Sequence, residues 1–132
     1  MTVNICGVKI DNYTFDDVVE RITDHAMKGG VPSYVVTPNA QQGLSLQRDA
    51  DFRSFYEKAF LAVPDGVSLL WSAKFLKTPL NGRVNGTDLF EELSAVAERK
   101  GLKVFLLGGR PGAAEAAKKT LQARHPNLQI VG

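Results

Sequence analysis

Residues 34–42 read Tyr-Val-Val-Thr-Pro-Asn-Ala-Gln-Gln, and residues 60–66 read Phe-Leu-Ala-Val-Pro-Asp-Gly. Each stretch is a short apolar run that stops at a proline and then presents polar side chains. Strands of a parallel sheet end in this way where they open into a cleft at the carboxyl edge of the sheet. The two stretches therefore predict parallel strands with a site at their ends, and Asp65 is the first candidate for chemistry there.

The rest of the chain predicts strands that alternate with helices. A strand or hairpin arm over residues 3–10 precedes a helix that Thr14 caps and that ends at Gly29 and Gly30. Further helices are predicted over residues 39–58 with a break near Asp49, over 66–75 and 87–100, and from the turn at residues 108–112 to about Arg124. Further strands are predicted over residues 104–107 and 128–131. The alternation predicts one α/β domain over residues 1–132, a Rossmann-like three-layer fold with a mostly parallel central sheet.

Composition excludes several classes of protein. The 132 residues are 44% hydrophobic and 23% charged, which is typical of one soluble globular domain. A net charge of +2 is too small to indicate nucleic-acid binding, although it could help at an anionic surface. The single cysteine, Cys6, excludes an internal disulfide and is most simply a small residue of the first strand. Without a leader or a membrane-spanning run, we expect a cytosolic protein, peripheral to a membrane at most.

Four segments, in their order and spacing, resemble the WecG/TagA/CpsF glycosyltransferases, family 26, and most of all its TagA-type members. The segments are Thr-Pro-Asn-Ala-Gln at residues 37–41, Pro-Asp-Gly at 64–66, Arg-Val-Asn-Gly-Thr-Asp at 83–88, and Val-Phe-Leu-Leu-Gly-Gly at 104–109 with Pro111 and Gly112. The match covers essentially the whole chain. It is specific as a set, whereas any one segment alone is weak.

The resemblance implies a bacterial enzyme of cell-surface polysaccharide synthesis. Members of the family move an N-acetylmannosamine-type sugar from a UDP donor to a lipid-linked acceptor, for teichoic acid, enterobacterial common antigen or capsule. For this chain it implies transfer with inversion to undecaprenyl-diphosphate-linked N-acetylglucosamine, at the inner face of the cell membrane. It also implies that no metal and no cofactor take part.

Family proteins continue past residue 132 with further strands and a basic segment that docks on the membrane. The chain is therefore expected to be the N-terminal portion of such an enzyme, with peripheral membrane contact in longer forms. Its last strand, residues 128–131, lacks a following helix, which favours a homo-oligomer. The alternative function is a truncated, catalytically weak nucleotide-binding or subunit-interaction module.

Asp65 is the candidate catalytic residue. Transfer with inversion needs a general base that takes the proton of the acceptor hydroxyl as it attacks the anomeric carbon. Asp65 lies on a Pro-Asp-Gly turn at a strand end, and the resemblance places the key aspartate of the family at this position. The alternative is that Asp65 caps the helix that begins near Gly66.

Nine further residues are candidates for substrate contact: Thr37, Asn39, Gln41, Arg83, Asn85, Thr87, Asp88, Gly108 and Gly109. The forked guanidinium of Arg83 suits a diphosphate or an acidic sugar, unless it is only a solvated or structural arginine. The polar residues 37–39 and 85–88 could instead be turns and helix caps. Gly108 and Gly109 open a helix whose N–H groups could receive a phosphate or a nucleoside edge, or they form a tight turn with Pro111 at the first helical position.

Other motifs favour structural roles. Asp49 and Asp51 form an Asp-x-Asp, the metal-diphosphate motif of many other glycosyltransferases, but the aromatic residues that follow at helical spacing favour a helix cap. The glycine loop lacks the Gly-x-Gly-x-x-Gly spacing, so NAD binding is not expected. The aromatic side chains at helical spacing, Trp71 among them, are expected in the core. His25 and His125 are assigned no function.

Overall fold

The computed structural model describes residues 2–5 and 7–132, so Cys6 lies outside the described residues. It confirms the mixed α/β class, with six helices and six short strands in those ranges. The elements are β1 Thr2–Ile5, β2 Val8–Asp11, α1 Phe15–Lys28, β3 Val35–Val36, α2 Ala40–Arg48, α3 Ala50–Glu57, β4 Leu61–Ala62, α4 Val67–Phe75, α5 Gly86–Lys100, β5 Lys103–Val104, α6 Ala113–Arg124 and β6 Gln129–Ile130.

The described strands form three two-stranded sheets. β1 and β2 form an antiparallel hairpin, whereas β3 pairs with β4, and β5 with β6, in parallel. Backbone hydrogen bonds extend the β3–β4 pairing in both directions, from Phe60 N–H to Tyr34 O and from Asp65 N–H to Pro38 O. The mostly parallel pairing agrees with the sequence expectation, and one continuous sheet between helix layers stays a prediction.

Four of the six described helices, α1, α2, α3 and α5, begin at a side-chain cap. Thr14 accepts a hydrogen bond from Asp17 N–H, and the Asp17 carboxylate accepts one from Thr14 N–H. Because this reciprocal box satisfies donors that the first turn leaves free, it fixes the start of α1. The Asp17 pKa lies below its usual value, since the Thr14 hydroxyl and then the Thr14 N–H stabilise the carboxylate. Asp49 caps α3 by accepting from Phe52 N–H at 2.9 Å, so the interpretation of Asp-x-Asp as a helix start is confirmed.

Two buried clusters hold the β3–β4 pair in place. The hairpin packs on α2, α3 and α4 through one cluster, in which the Tyr56 hydroxyl donates to Lys9 O and burial raises the Tyr56 pKa. The second cluster joins α1, β4 and the start of α5. It includes Val63 and Val84, both fully buried, which flank the turn that carries Asp65 and the loop that carries Arg83. The chain on both sides of the candidate site is therefore anchored in core.

Two burial expectations are wrong. Residues 104–107 were expected to form a strand buried on both faces, but β5 ends at Val104 and Leu107 is 92% exposed. Its only strand neighbour among the described residues is β6. Trp71 was expected in the core and is 74% exposed. α4 buries Leu69 and Ala73, and Trp71 lies two residues from each, about 200° away around the helix.

Candidate active site

The ends of β3 and β4 lie side by side. Val63 N–H donates to Val36 O at 2.9 Å, and Asp65 N–H donates to Pro38 O at 3.0 Å. Pro38 and Pro64 are both fully buried, so the two turns leave the strands at fixed points. The pairing brings the turn that carries Asp65 next to the turn that carries Thr37 and Asn39, as the two stretches of sequence predict.

The start of α5 joins this pair of turns from a distant part of the chain. Val84 N–H donates to Pro64 O at 2.9 Å, and the Val84 side chain is buried beside β4. Asn85 then caps α5, because its Oδ1 accepts from Thr87 N–H at 2.8 Å. The result is that the N-terminus of a 15-residue helix faces the end of β4.

The Asp65 carboxylate lies between a guanidinium and this helix N-terminus. Asp65 Oδ1 is 3.6 Å from Arg83 Nε, and Oδ2 accepts from Gly86 N–H at 3.4 Å. Both contacts are long, and 31% of the Asp65 side chain is exposed, so the oxygens can still accept from an incoming group. Positive charge and the helix dipole both favour a carboxylate at this point.

The capping alternative for Asp65 is wrong. α4 has Gly66 as its N-cap, with a φ of 142°, and no described side chain caps its free N–H groups. The Asp65 carboxylate points instead to Gly86, 21 residues later in the chain. Asp65 is therefore held by contacts across the fold and has no role in starting its own helix.

Thr37 lies close to the same carboxylate and helix N-terminus. A Cβ atom added at Gly86 would lie 3.5 Å from Asp65 Oδ2 and 3.8 Å from Thr37 Oγ1. The hydroxyl and the carboxylate thus approach one residue that has no side chain. Groups that can donate and accept hydrogen bonds therefore lie close together around Gly86.

Asn39 and Asn85 are both helix caps, as the structural alternative predicted. Asn39 Oδ1 accepts from Gln42 N–H at 3.0 Å, and Gln42 Oε1 accepts from Asn39 N–H at 3.2 Å. Asn39 Cβ also lies 3.9 Å from the position of a Cβ atom built on Gly66, so the cap is adjacent to the Asp65 turn. Capping uses the amide oxygen, which leaves the two N–H groups of each amide able to meet a ligand.

Three other sequence candidates lie around the helix starts without a described contact to Asp65. Gln41 is exposed in the first turn of α2, and Thr87 and Asp88 are exposed in the first turn of α5. Asp88 borders a different groove of about 440 Å³ that also includes Phe15 and His125. Their positions are near the site in sequence, and no described hydrogen bond or ion pair joins their side chains to Asp65 or Arg83.

Gly108 and Gly109 form a separate loop. Their φ values are 98° and 86°, and the loop borders an open groove of about 490 Å³ with Phe90 and Leu107. α6 begins at Ala113 after Gly112, so the expectation of Pro111 at the first helical position is wrong. No described hydrogen bond or ion pair connects this loop with Asp65, so the structure brings together only part of the predicted site.

Gly86 is a member of the site that the sequence did not select. Its role depends on a backbone N–H, which every residue other than proline carries, so residue type gives no signal. The Asn-Gly-Thr-Asp run does predict a helix start, and a helix N-terminus attracts anions. Which anion it meets depends on the long-range bond between Val84 and Pro64.

The described residues contain no group of three or more His, Cys, Asp or Glu side chains that could hold a metal ion. The two histidines have other neighbours: the His25 ring lies 4.4 Å from the Phe60 ring at a tilt of 30°, and His125 Nδ1 lies 3.1 Å from Glu98 Oε2. Within residues 2–5 and 7–132, none of the helices has both the length and the apolar character that are needed to cross a bilayer.

The chain belongs to the WecG/TagA/CpsF family of glycosyl transferases, whose family model matches residues 3–132. It is 33% identical over 129 residues to N-acetylglucosaminyldiphosphoundecaprenol N-acetyl-beta-D-mannosaminyltransferase of Staphylococcus aureus, in strains NCTC 8325 / PS 47 and COL. Each alignment covers 97% of this chain and 51% of the relative. The chain therefore spans about half the length of the curated relatives that it matches.

Proposed function

We propose that this chain carries the acceptor-activating part of an N-acetylmannosaminyltransferase site. The donor is UDP-N-acetylmannosamine, and the acceptor is N-acetylglucosamine on undecaprenyl diphosphate, in the synthesis of teichoic acid or another bacterial cell-surface polysaccharide. Family membership and the name of the relatives support the reaction class. The observation that carries the proposal is the Asp65 carboxylate, half-buried between Arg83 and the N-terminus of α5.

Asp65 acts as the general base. The acceptor hydroxyl gives its proton to a free lone pair of the carboxylate while its oxygen forms a bond to the anomeric carbon. The bond from that carbon to the donor phosphate oxygen breaks, and UDP leaves with the electron pair. Attack from the face opposite to the leaving group inverts the configuration, in agreement with relatives named for β-linked transfer, if the nucleotide sugar is α-linked.

Arg83 stabilises the departing diphosphate. Its Nε faces Asp65, which leaves the two Nη groups for phosphate oxygens. The N-terminus of α5 adds positive potential on the same side. Thr37 and the amide N–H groups of Asn39 and Asn85 position the sugars, and Gln41, Thr87 and Asp88 contribute at the rim.

The finer architecture follows the same proposal. The β3–β4 and β5–β6 pairs belong to one Rossmann-like three-layer fold with a mostly parallel central sheet, and residues 1–132 form the N-terminal part of its single domain. Gly108 and Gly109 then meet the donor nucleotide at the edge of that sheet. The protein works as a homo-oligomer at the inner face of the cell membrane, without a metal or cofactor.

A transfer assay tests the proposal. A family-length form is incubated with UDP-N-acetylmannosamine and a lipid-diphosphate N-acetylglucosamine analogue in EDTA, and the product linkage is determined by NMR. We expect UDP release matched by a β-linked disaccharide. An α-linked product would contradict attack assisted by a single base, and loss of transfer that magnesium restores would contradict the metal-free site.

A second function is favoured by the exposure of Phe105 and Leu107, two large apolar residues beside the glycine loop. Apolar side chains exposed together tend to be covered by partners, so the chain could serve as a nucleotide-binding or subunit-interaction module. Calorimetric titration of UDP into the 132-residue chain, paired with the transfer assay, separates the two functions. Self-association or UDP binding without transfer by the family-length form would favour the module.

A further inference from the structure

The outer face of α4, defined as Val67, Trp71 and Phe75 with the neighbouring Lys74 and Lys77, has no protein partner among the described residues. Trp71 is 74% exposed and Phe75 is 87% exposed. The three apolar residues are spaced four apart, so they form one stripe along the helix. The opposite side of α4 is already used, because Leu69 and Ala73 are buried in the hairpin cluster.

The stretch of chain that contains this face, between Asp65 and Asp88, carries charge of one sign. Residues 66–87 contain Lys74, Lys77 and Arg83 and no Asp or Glu, although the whole chain has 14 acidic residues. The described residues give neither Lys74 nor Lys77 an ion pair with a carboxylate. Lys77 has a φ of 57° directly after the helix, an uncommon conformation for a side chain other than glycine.

We propose that the outer face of α4 is a lipid-contact surface that seats the chain on an anionic phospholipid bilayer. Trp and Phe enter the interfacial region of a bilayer, and lysines beside them meet anionic headgroups while their stems cover apolar surface. A second protein copy would bring the same lysines together, whereas an anionic surface neutralises them. Charge complementarity therefore selects the bilayer as the occupant.

This surface places the candidate site close to the lipid. α4 begins two residues after Asp65, with Gly66 between them. The inference deepens the proposed function, because an acceptor sugar on a lipid diphosphate would reach Asp65 from the surface that α4 contacts. It does not depend on transfer, since bilayer binding can be measured without a donor or an acceptor.

Trp71 is the single tryptophan of the chain, so its emission reports on this face alone. The 132-residue chain is titrated with phosphatidylcholine vesicles that contain about 30% phosphatidylglycerol, a typical anionic surface. We expect the Trp71 emission to shift to the blue and to become less accessible to quenching by acrylamide. The change should be much smaller with vesicles of pure phosphatidylcholine. An unchanged emission spectrum for a folded chain overturns the inference and leaves the transferase proposal standing. Vesicle binding without sugar transfer supports the inference and contradicts the transferase proposal.

Variants distinguish lipid binding by this face from non-specific adsorption of the chain to vesicles. Phe75→Ser, and Lys74→Glu with Lys77→Glu, should each lower the vesicle partition coefficient by about tenfold or more, as measured by sedimentation. Val31→Ser is the matched control, because Val31 is also largely exposed but lies outside α4. Equal losses in the control, or a blue shift that grows with protein concentration without vesicles, would show that lipid is not the occupant.

Discussion

The chain after β3 and β4 and the chain after β5 both carry predicted site residues, but the structure holds these two regions in different ways. At β4, Asp65 meets Arg83 and Gly86 N–H, and buried residues anchor the chain on both sides. After β5, Gly108 and Gly109 are exposed and carry no side chain, and no described hydrogen bond or ion pair joins the neighbouring Arg110 side chain to another element. Side chains that bond across the fold bring the residues around Asp65 together within this chain, whereas Gly108 and Gly109 offer only backbone N–H and C=O groups.

A comparison of Arg83 with Arg110 tests this difference. Arg83→Gln should lower kcat/KM of a family-length form by about 10²-fold, because a charged donor to the leaving diphosphate is lost. Arg110→Gln, in the exposed glycine loop, is the matched change and should have little effect. Steady-state transfer kinetics of both variants measure this difference. Equal losses of kcat/KM would mean that the regions around Arg83 and Arg110 contribute equally to transfer.

Alanine substitutions at Gly86 and Gly109 are expected to affect activity and stability differently. Gly86→Ala places a methyl group 3.5 Å from Asp65 Oδ2, an ordinary contact, so we expect unchanged or higher stability but slower transfer. Gly109 has a φ of 86°, and a Cβ atom added there would lie 3.0 Å from Ala113 Cβ. Gly109→Ala should therefore lower the free energy of unfolding by about 1–2 kcal/mol. Chemical denaturation measures both variants. A destabilised Gly86→Ala with normal turnover would remove Gly86 from the site.

The role of Asn39 can be divided into a cap and a ligand. Asn39→Ala should lower the free energy of unfolding by about 1 kcal/mol, because the cap of α2 is lost. Asn39→Ser keeps a capping oxygen and should keep the stability, but it lacks the amide N–H groups. Calorimetry with the UDP-sugar then tests ligand contact: if Asn39→Ser binds as the wild type does, Asn39 is only a cap.

The smallest effect concerns the β5–β6 region. Asn127 N–H, and then His125, hold the pKa of the Glu98 carboxyl below its usual value. A lowered folded pKa stabilises the protein above the unfolded pKa, and this contribution is lost as the pH falls through the folded value. Glu98→Gln should therefore lower Tm at neutral pH and less so in acid. Glu20→Gln, on the exposed side of α1, is the control, and equal pH profiles for the two would contradict this role.

The helices could be predicted because their signals are local. The Thr14 and Asp17 box, the Asn39 and Gln42 box and the Asp49 cap each lie within three residues, so the sequence states them directly. Part of the site could also be predicted, because parallel strands bring their carboxyl ends to one edge. The helix caps depend on neighbours in sequence, and the placement of the strand ends depends on the parallel pairing of the strands.

The exposure of Trp71 and Leu107 could not be predicted in this way. An apolar residue is buried only if another element covers it, and periodicity does not say which elements do so. Gly86 was missed for a related reason, since its N–H meets Asp65 across 21 residues. The errors therefore concentrate where long-range contacts, present or absent, decide the outcome.

The central claim is that the Asp65 carboxylate takes the acceptor proton. In a family-length form, Asp65→Asn keeps the shape and a hydrogen-bonding oxygen but cannot act as this base, so turnover should fall by about 10²–10⁴-fold with nearly unchanged UDP-sugar affinity. Asp16→Asn, an exposed aspartate in the first turn of α1, is the control and should transfer normally. Turnover per folded molecule near the wild-type value for Asp65→Asn would contradict the account.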